Sequence, residues 1–148
     1  FLYLLYLNGL PLAAHPAVLA PRYREALVDR PALFVYAADP RFDPEATRDL
    51  LRGKALYQSF CAICHGARGE GDGRAIPLGV PKPRSYHDPA VRDQPEGYFY
   101  FAATNGFGRM LPYKSRIPER ERWLIAHYIK RCLLSEACPE EVVHAEVH

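Results

Sequence analysis

Apolar positions along this chain change character three times. Residues 1–44 carry apolar clusters (Phe1–Leu7, Leu33–Tyr36) with no sustained helical or alternating period. Pro11, Pro16, Pro21, Pro31, Pro40 and Pro44 interrupt them, and only Arg22–Asp29, just after Pro21, has the make-up of a short helix. This stretch reads as an arm lying on the domain or on a neighbouring subunit, not as a second core. Beyond it, Leu50, Gly53, Tyr57 and Phe60 recur three and four apart, which predicts a helix opened by Asp43-Pro44-Glu45. A glycine inside a helix costs about 1 kcal/mol against alanine. Gly53 is explained if another helix crosses there, with Tyr57 on the same face. Residues 74–95 are Pro-rich and predict a loop. Glu96–Thr104 predicts a second helix, ended by Asn105-Gly106. The last helix runs from Pro118 to about Leu133, with Glu119 and Glu121 at its start and Lys130 and Arg131 at its end. Ile125 and Tyr128 on its apolar side are expected to meet Gly53 and Tyr57 at a crossing. The pattern is all-α: an arm over 1–44, a helical domain over 45–133 and an acidic tail over 134–148.

Composition adds bounds. The chain has 148 residues, 49% of them hydrophobic, which suits one compact domain with an extension. A net charge of +2, without a basic-plus-aromatic pattern, gives no sign of nucleic acid as a partner. Phe1–Leu7 is far shorter than the roughly 20 residues that span a bilayer. It reads as the end of a membrane anchor or as an arm buried against a partner.

The chemistry centres on Cys61-Ala62-Ile63-Cys64-His65, a C-x-x-C-H run and the attachment signature of c-type haem. Two thiols three apart on a helical turn, about 300° round the axis, project from one side and can reach both vinyl groups of one haem edge. His65 is then placed as the proximal iron ligand. A zinc half-site needs two further ligands at comparable spacing and a thioredoxin pair needs a βαβ setting; the sequence offers neither. Met110, the only methionine, lies on a Gly-flanked loop 45 positions later and is the candidate sixth ligand. His15, His87 and His127 are its rivals. His144 and His148 share an i, i+4 spacing on the polar tail, a weak metal signal. The 74–95 loop is expected to wall the proximal side and to offer a proline carbonyl to the His65 ring N–H, with the choice of proline open. Arg84, Tyr86 and Lys82 are candidate partners of the haem carboxylates. Cys132 and Cys138 are free to pair, because haem attachment to this motif takes place in an oxidising compartment.

Gly53, Tyr57, CAICHG at 61–66, the Gly-rich turn after it, Asn105-Gly106, Met110 near Pro112 and the Trp123/Tyr128 helix follow one another as in class I c-type cytochromes. The chain resembles that family over about residues 50–132. The resemblance implies helices around one covalent haem, with His65 and Met110 axial and the first and last helices crossing. Leu111 between Met110 and Pro112 departs from a pattern in which the proline often follows directly. The apolar start, Pro-rich arm and acidic tail further resemble the mono-haem cytochrome subunit of alternative complex III, a membrane quinol-oxidising complex. That resemblance implies electron transfer on the periplasmic face of the membrane, other complex subunits and a redox partner cytochrome or oxidase, and no catalysis by this chain alone. A freestanding periplasmic carrier and a haem sensor or peroxidase-like protein with an open sixth position are the competing readings.

Overall fold

The computed structural model describes residues 46–147. Six α-helices lie in that span: α1 (Thr47–Phe60), α2 (Ala62–His65), α3 (Pro89–Arg92), α4 (Glu96–Asn105), α5 (Glu119–Tyr128) and α6 (Glu140–His144). A 3₁₀ turn covers Ile76–Leu78 and a π-helical turn, Ile129–Leu133, prolongs α5. The described residues form no strand; a single bridge joins Phe107 and Met110.

α1 begins at Thr47, and the expected cap at Asp43-Pro44-Glu45 lies outside the described residues, as does the whole 1–44 arm with its anchor reading. The crossing of α1 with α5 sets the core. Arg120 reaches the buried Asp49 carboxylate at 3.4 Å, and Arg52 pairs with Glu121. One turn further on, a Cβ at Gly53 would collide with the Leu124 carbonyl and stand 2.9 Å from the Tyr128 Cβ. Another turn on, the rings of Tyr57 and Tyr128 meet at 5.6 Å. Each step advances both helices by about four residues, one turn of each. Tyr128 is thus where the spacing placed it, whereas Leu124 rather than Ile125 takes the position over Gly53.

α4 meets α5 in the opposite sense. Arg122 donates to Thr104 Oγ1 (2.9 Å), the Ile117 carbonyl and Tyr100 Oη. Trp123 stacks on Tyr100 at 4.2 Å, and His127 Nδ1 lies 3.0 Å from a Glu96 carboxylate oxygen. Arg122, Glu96 and His127 are all buried. Burying charged groups is costly unless they are paired, and here the pairing is complete enough to tie α4 down at both ends.

The segment after Leu133 does not trail away. Cys132 and Cys138 are joined by a disulfide, and α6 returns to α1. Val142 is fully buried, worth about 1.5–3 kcal/mol by area alone. Lys54 Nζ donates to the carbonyls of Val142, Val143 and Ala145 at 2.6–2.9 Å, satisfying acceptors that a helix C-terminus otherwise leaves open. Thr47 Oγ1 donates to Glu141 at 3.2 Å. Acidic composition alone suggested a tail; the buried valine and the lysine make it part of the fold.

Candidate haem site

α1 delivers the C-x-x-C-H run. Its last turn passes through Cys61, whose N–H donates to the Tyr57 carbonyl at 2.8 Å, straight into α2. The His65 and Gly66 N–H groups close that turn on Cys61 and Ala62 at 2.9 and 2.8 Å. Both thiols are free; Cys61 is buried and Cys64 half-buried. Burial, with Cys64 beside it, pushes the Cys61 thiol up to about 12. The buried Tyr57 hydroxyl donates to the Gly66 carbonyl at 2.7 Å and so fixes the chain just past His65.

His65 sits in an aromatic pocket. Tyr86 stacks on its ring at 4.8 Å, and Phe99 and Tyr57 meet Tyr86 at 5.4 and 6.4 Å. Desolvation lowers the imidazole to about 4, so the ring is neutral at ordinary pH, the form that ligates a metal. Its Nδ1 is buried without a hydrogen-bond partner. The expected proline carbonyl therefore does not reach that atom. The Pro83 carbonyl lies against Gly71, whose N–H donates to the His65 carbonyl at 2.8 Å. The N–H groups of Gly71, Gly73 and Ala75 donate to the carbonyls of His65, Cys64 and Ile63 and draw the loop against α2.

Of the expected carboxylate partners, only Tyr86 reaches the pocket. Arg84 is exposed and lies 3.8 Å from Asp88, and Lys82 is exposed. Met110 is half-buried at the end of a tight turn after α4, where it exchanges backbone hydrogen bonds with Phe107 at 2.9 and 3.2 Å. Among its rivals, His127 is held by Glu96, His87 Nε2 lies 2.8 Å from the Arg68 carbonyl on the surface, and His15 lies outside the described residues. His148 does too, and among the described residues no group of three His, Cys, Asp or Glu could hold a metal ion. Sequence reasoning missed Tyr113. Its ring meets Phe60 at 6.2 Å and its hydroxyl donates to the Phe60 carbonyl at 3.4 Å, beside Cys61. A tyrosine just past a proline carries no pattern that announces this.

Two free thiols on one turn, a neutral imidazole with an orphaned nitrogen and a loop thioether are a donor set that fits haem c. The helical fold and this site define a c-type cytochrome. Residues 48–129 match the family described as cytochrome C oxidase, cbb3-type, subunit III, and the chain belongs to it. Residues 1–56 match the family described as alternative complex III, ActD subunit, so the likeness to that complex falls on the N-terminal segment. Similar solved structures include the c-type cytochrome KustC0563, at 21% identity and a TM-score of 0.44 over 53% of this chain and 93% of its own. Cytochrome cL from Methylophaga aminisulfidivorans is 15% identical with a TM-score of 0.45, over 83% of this chain and 77% of its own. Cytochrome cL from Hyphomicrobium denitrificans is 16% identical with a TM-score of 0.44, over 74% and 67%. No curated protein matches the chain. Among the described residues no helix is long and apolar enough to cross a membrane.

Proposed function

We propose that this chain relays single electrons through one covalently bound haem c within a membrane respiratory complex related to alternative complex III, carrying electrons from quinol oxidation to a periplasmic acceptor or oxidase. The observation that carries the reading is the pairing of buried Cys61 and half-buried Cys64 on one turn with His65, whose Nδ1 is buried and unpartnered. Cys61 and Cys64 would hold the haem through two thioethers, and His65 and Met110 would be its iron ligands. Tyr86, within the His65 pocket, and Arg84, two residues before it on the same loop, would serve its carboxylates. When bound, the haem supplies one-electron cycling between ferrous and ferric iron. A haem held by two protein ligands would leave no iron position for substrate, which favours electron relay over catalysis.

The likeness of residues 1–56 to the ActD subunit favours a place among other complex subunits on the extracytoplasmic side of the membrane. The exposed stretch around Phe107, Arg109, Leu111, Lys114 and Arg116 has no acid between Gly97 and Pro118, and suits an acidic redox partner. Purification from native membranes, identification of the companion polypeptides and a pyridine haem spectrum test the whole reading. Haem c that acidic acetone does not extract, in a preparation that keeps its companions, is the expected result. Extractable pigment, or a chain that leaves the membrane alone in low-salt buffer, overturns it.

A further inference from the structure

Among the described residues, two buried side-chain nitrogens have no hydrogen-bond partner: His65 Nδ1 and Asn105 Nδ2. Buried donors are nearly always satisfied, and each exception calls for an explanation. His65 belongs to the proposed haem ligands. Asn105 has had no role so far, yet the fold ties it to the same pocket. It is the last residue of α4. The chain then turns at Gly106 (φ +76°), where a Cβ would run into the Met110 carbonyl and stand 3.1 Å from the Pro112 nitrogen. The Met110 backbone therefore rests on the residue directly after Asn105. Two residues before Asn105, the Ala103 carbonyl accepts from the Tyr113 N–H at 2.9 Å, and the Tyr113 hydroxyl donates to the Phe60 carbonyl, next to Cys61. The end of α4 is thus fastened to the Met110 loop on one side and to the thiol turn on the other.

We propose that the Asn105 side-chain amide is a positioning residue of the haem pocket, a donor reserved for an acceptor that is in place only when haem is bound. The proposal rests on the haem reading above. The acceptor is either the Met110 thioether, drawn in as it ligates iron, or a haem carboxylate. The two leave different traces. A donor on the thioether withdraws electron density from the iron, favours the ferrous state and holds the sulfur in place. A donor on a carboxylate keeps that carboxylate ionised, and so sets the pH at which the reduction potential changes slope.

The test uses full-length holoprotein carrying Asn105→Ala or Asn105→Ser, the serine keeping a donor, with Met110→Ala alongside. Thermal unfolding of the ferric forms shows whether each variant is folded. On the thioether arm, Asn105→Ala lowers the potential and tightens imidazole binding to ferric iron about fivefold, and Asn105→Ser restores part of both. On the carboxylate arm, imidazole affinity stays put and the break in the potential–pH curve moves to higher pH. Either supports the proposal. A folded Asn105→Ala protein whose potential, pH curve and imidazole affinity all equal those of the wild type overturns it, and so does Asn105→Ser behaving like alanine in every readout. If Met110→Ala leaves the ferric spectrum unchanged, methionine ligation fails as a reading, and Asn105 then stands or falls on the carboxylate arm alone.

Discussion

The two ends of α1 teach different lessons about how this chain is built. At its N-terminal end, against α5 and α6, charges are paired, carbonyls are capped by Lys54, and Val142 and Leu50 are fully buried. At its C-terminal end, aromatic rings crowd round His65, a cysteine thiol is buried, and the His65 Nδ1 is left without a partner. The first end is finished by the polypeptide itself. The second has the unmatched polar group of a pocket shaped for a cofactor, and such mismatches mark functional ground better than packing does.

The strongest way to break this contrast is to remove the thiols. Cys61→Ser with Cys64→Ser is expected to abolish covalent pigment entirely, read by haem staining of a denaturing gel, while the crossing of α1 and α5 keeps its helical signal. Next, Met110→Ala is expected to open the sixth position, so that carbon monoxide binds the ferrous protein readily without denaturant and the potential falls. A wild-type protein that already binds carbon monoxide freely favours the sensor or peroxidase-like reading instead. At the finished end, Gly53→Ala gains helix propensity but drives a methyl into the Leu124 backbone; a net loss of about 1–3 kcal/mol is expected in denaturant titrations. Reducing Cys132–Cys138, which closes a six-residue separation, is expected to cost about 2 kcal/mol, with α6 amides gaining hydrogen exchange before those of α1. The smallest effect falls on the surface: Lys114→Glu with Arg116→Glu slows reduction by an acidic partner a few-fold at low salt, and the difference fades near 0.15 M ionic strength.

What could be read beforehand follows the same division. Spacing of Gly53, Tyr57 and Tyr128 announced the crossing because helix periodicity is a local property of sequence. The C-x-x-C-H run announced its chemistry because covalent attachment demands fixed spacing. Leu124 was passed over for Ile125 because the glycine meets a backbone carbonyl, and carbonyls look the same in every residue. Lys54 was invisible for the same reason: its three acceptors are backbone oxygens 88 or more positions away. Tyr86 reaches His65 through a loop whose path depends on backbone bonds such as Tyr86 N–H to the Gly69 carbonyl at 2.7 Å, which no side-chain pattern records. Asn105 looked like a helix terminator, and only its isolation inside the fold gives it a second meaning.

The clasp of Thr47 and Lys54 on α6 has a mechanical reading. Thr47 stands at one pole of α1 and Cys61 at the other, separated by a helix of 14 residues, about 21 Å long, and the Lys54 contacts to Val142, Val143 and Ala145 fall midway between them. α6 is thus held at two separate points along α1, so loosening either contact alone leaves the other to keep the segment docked.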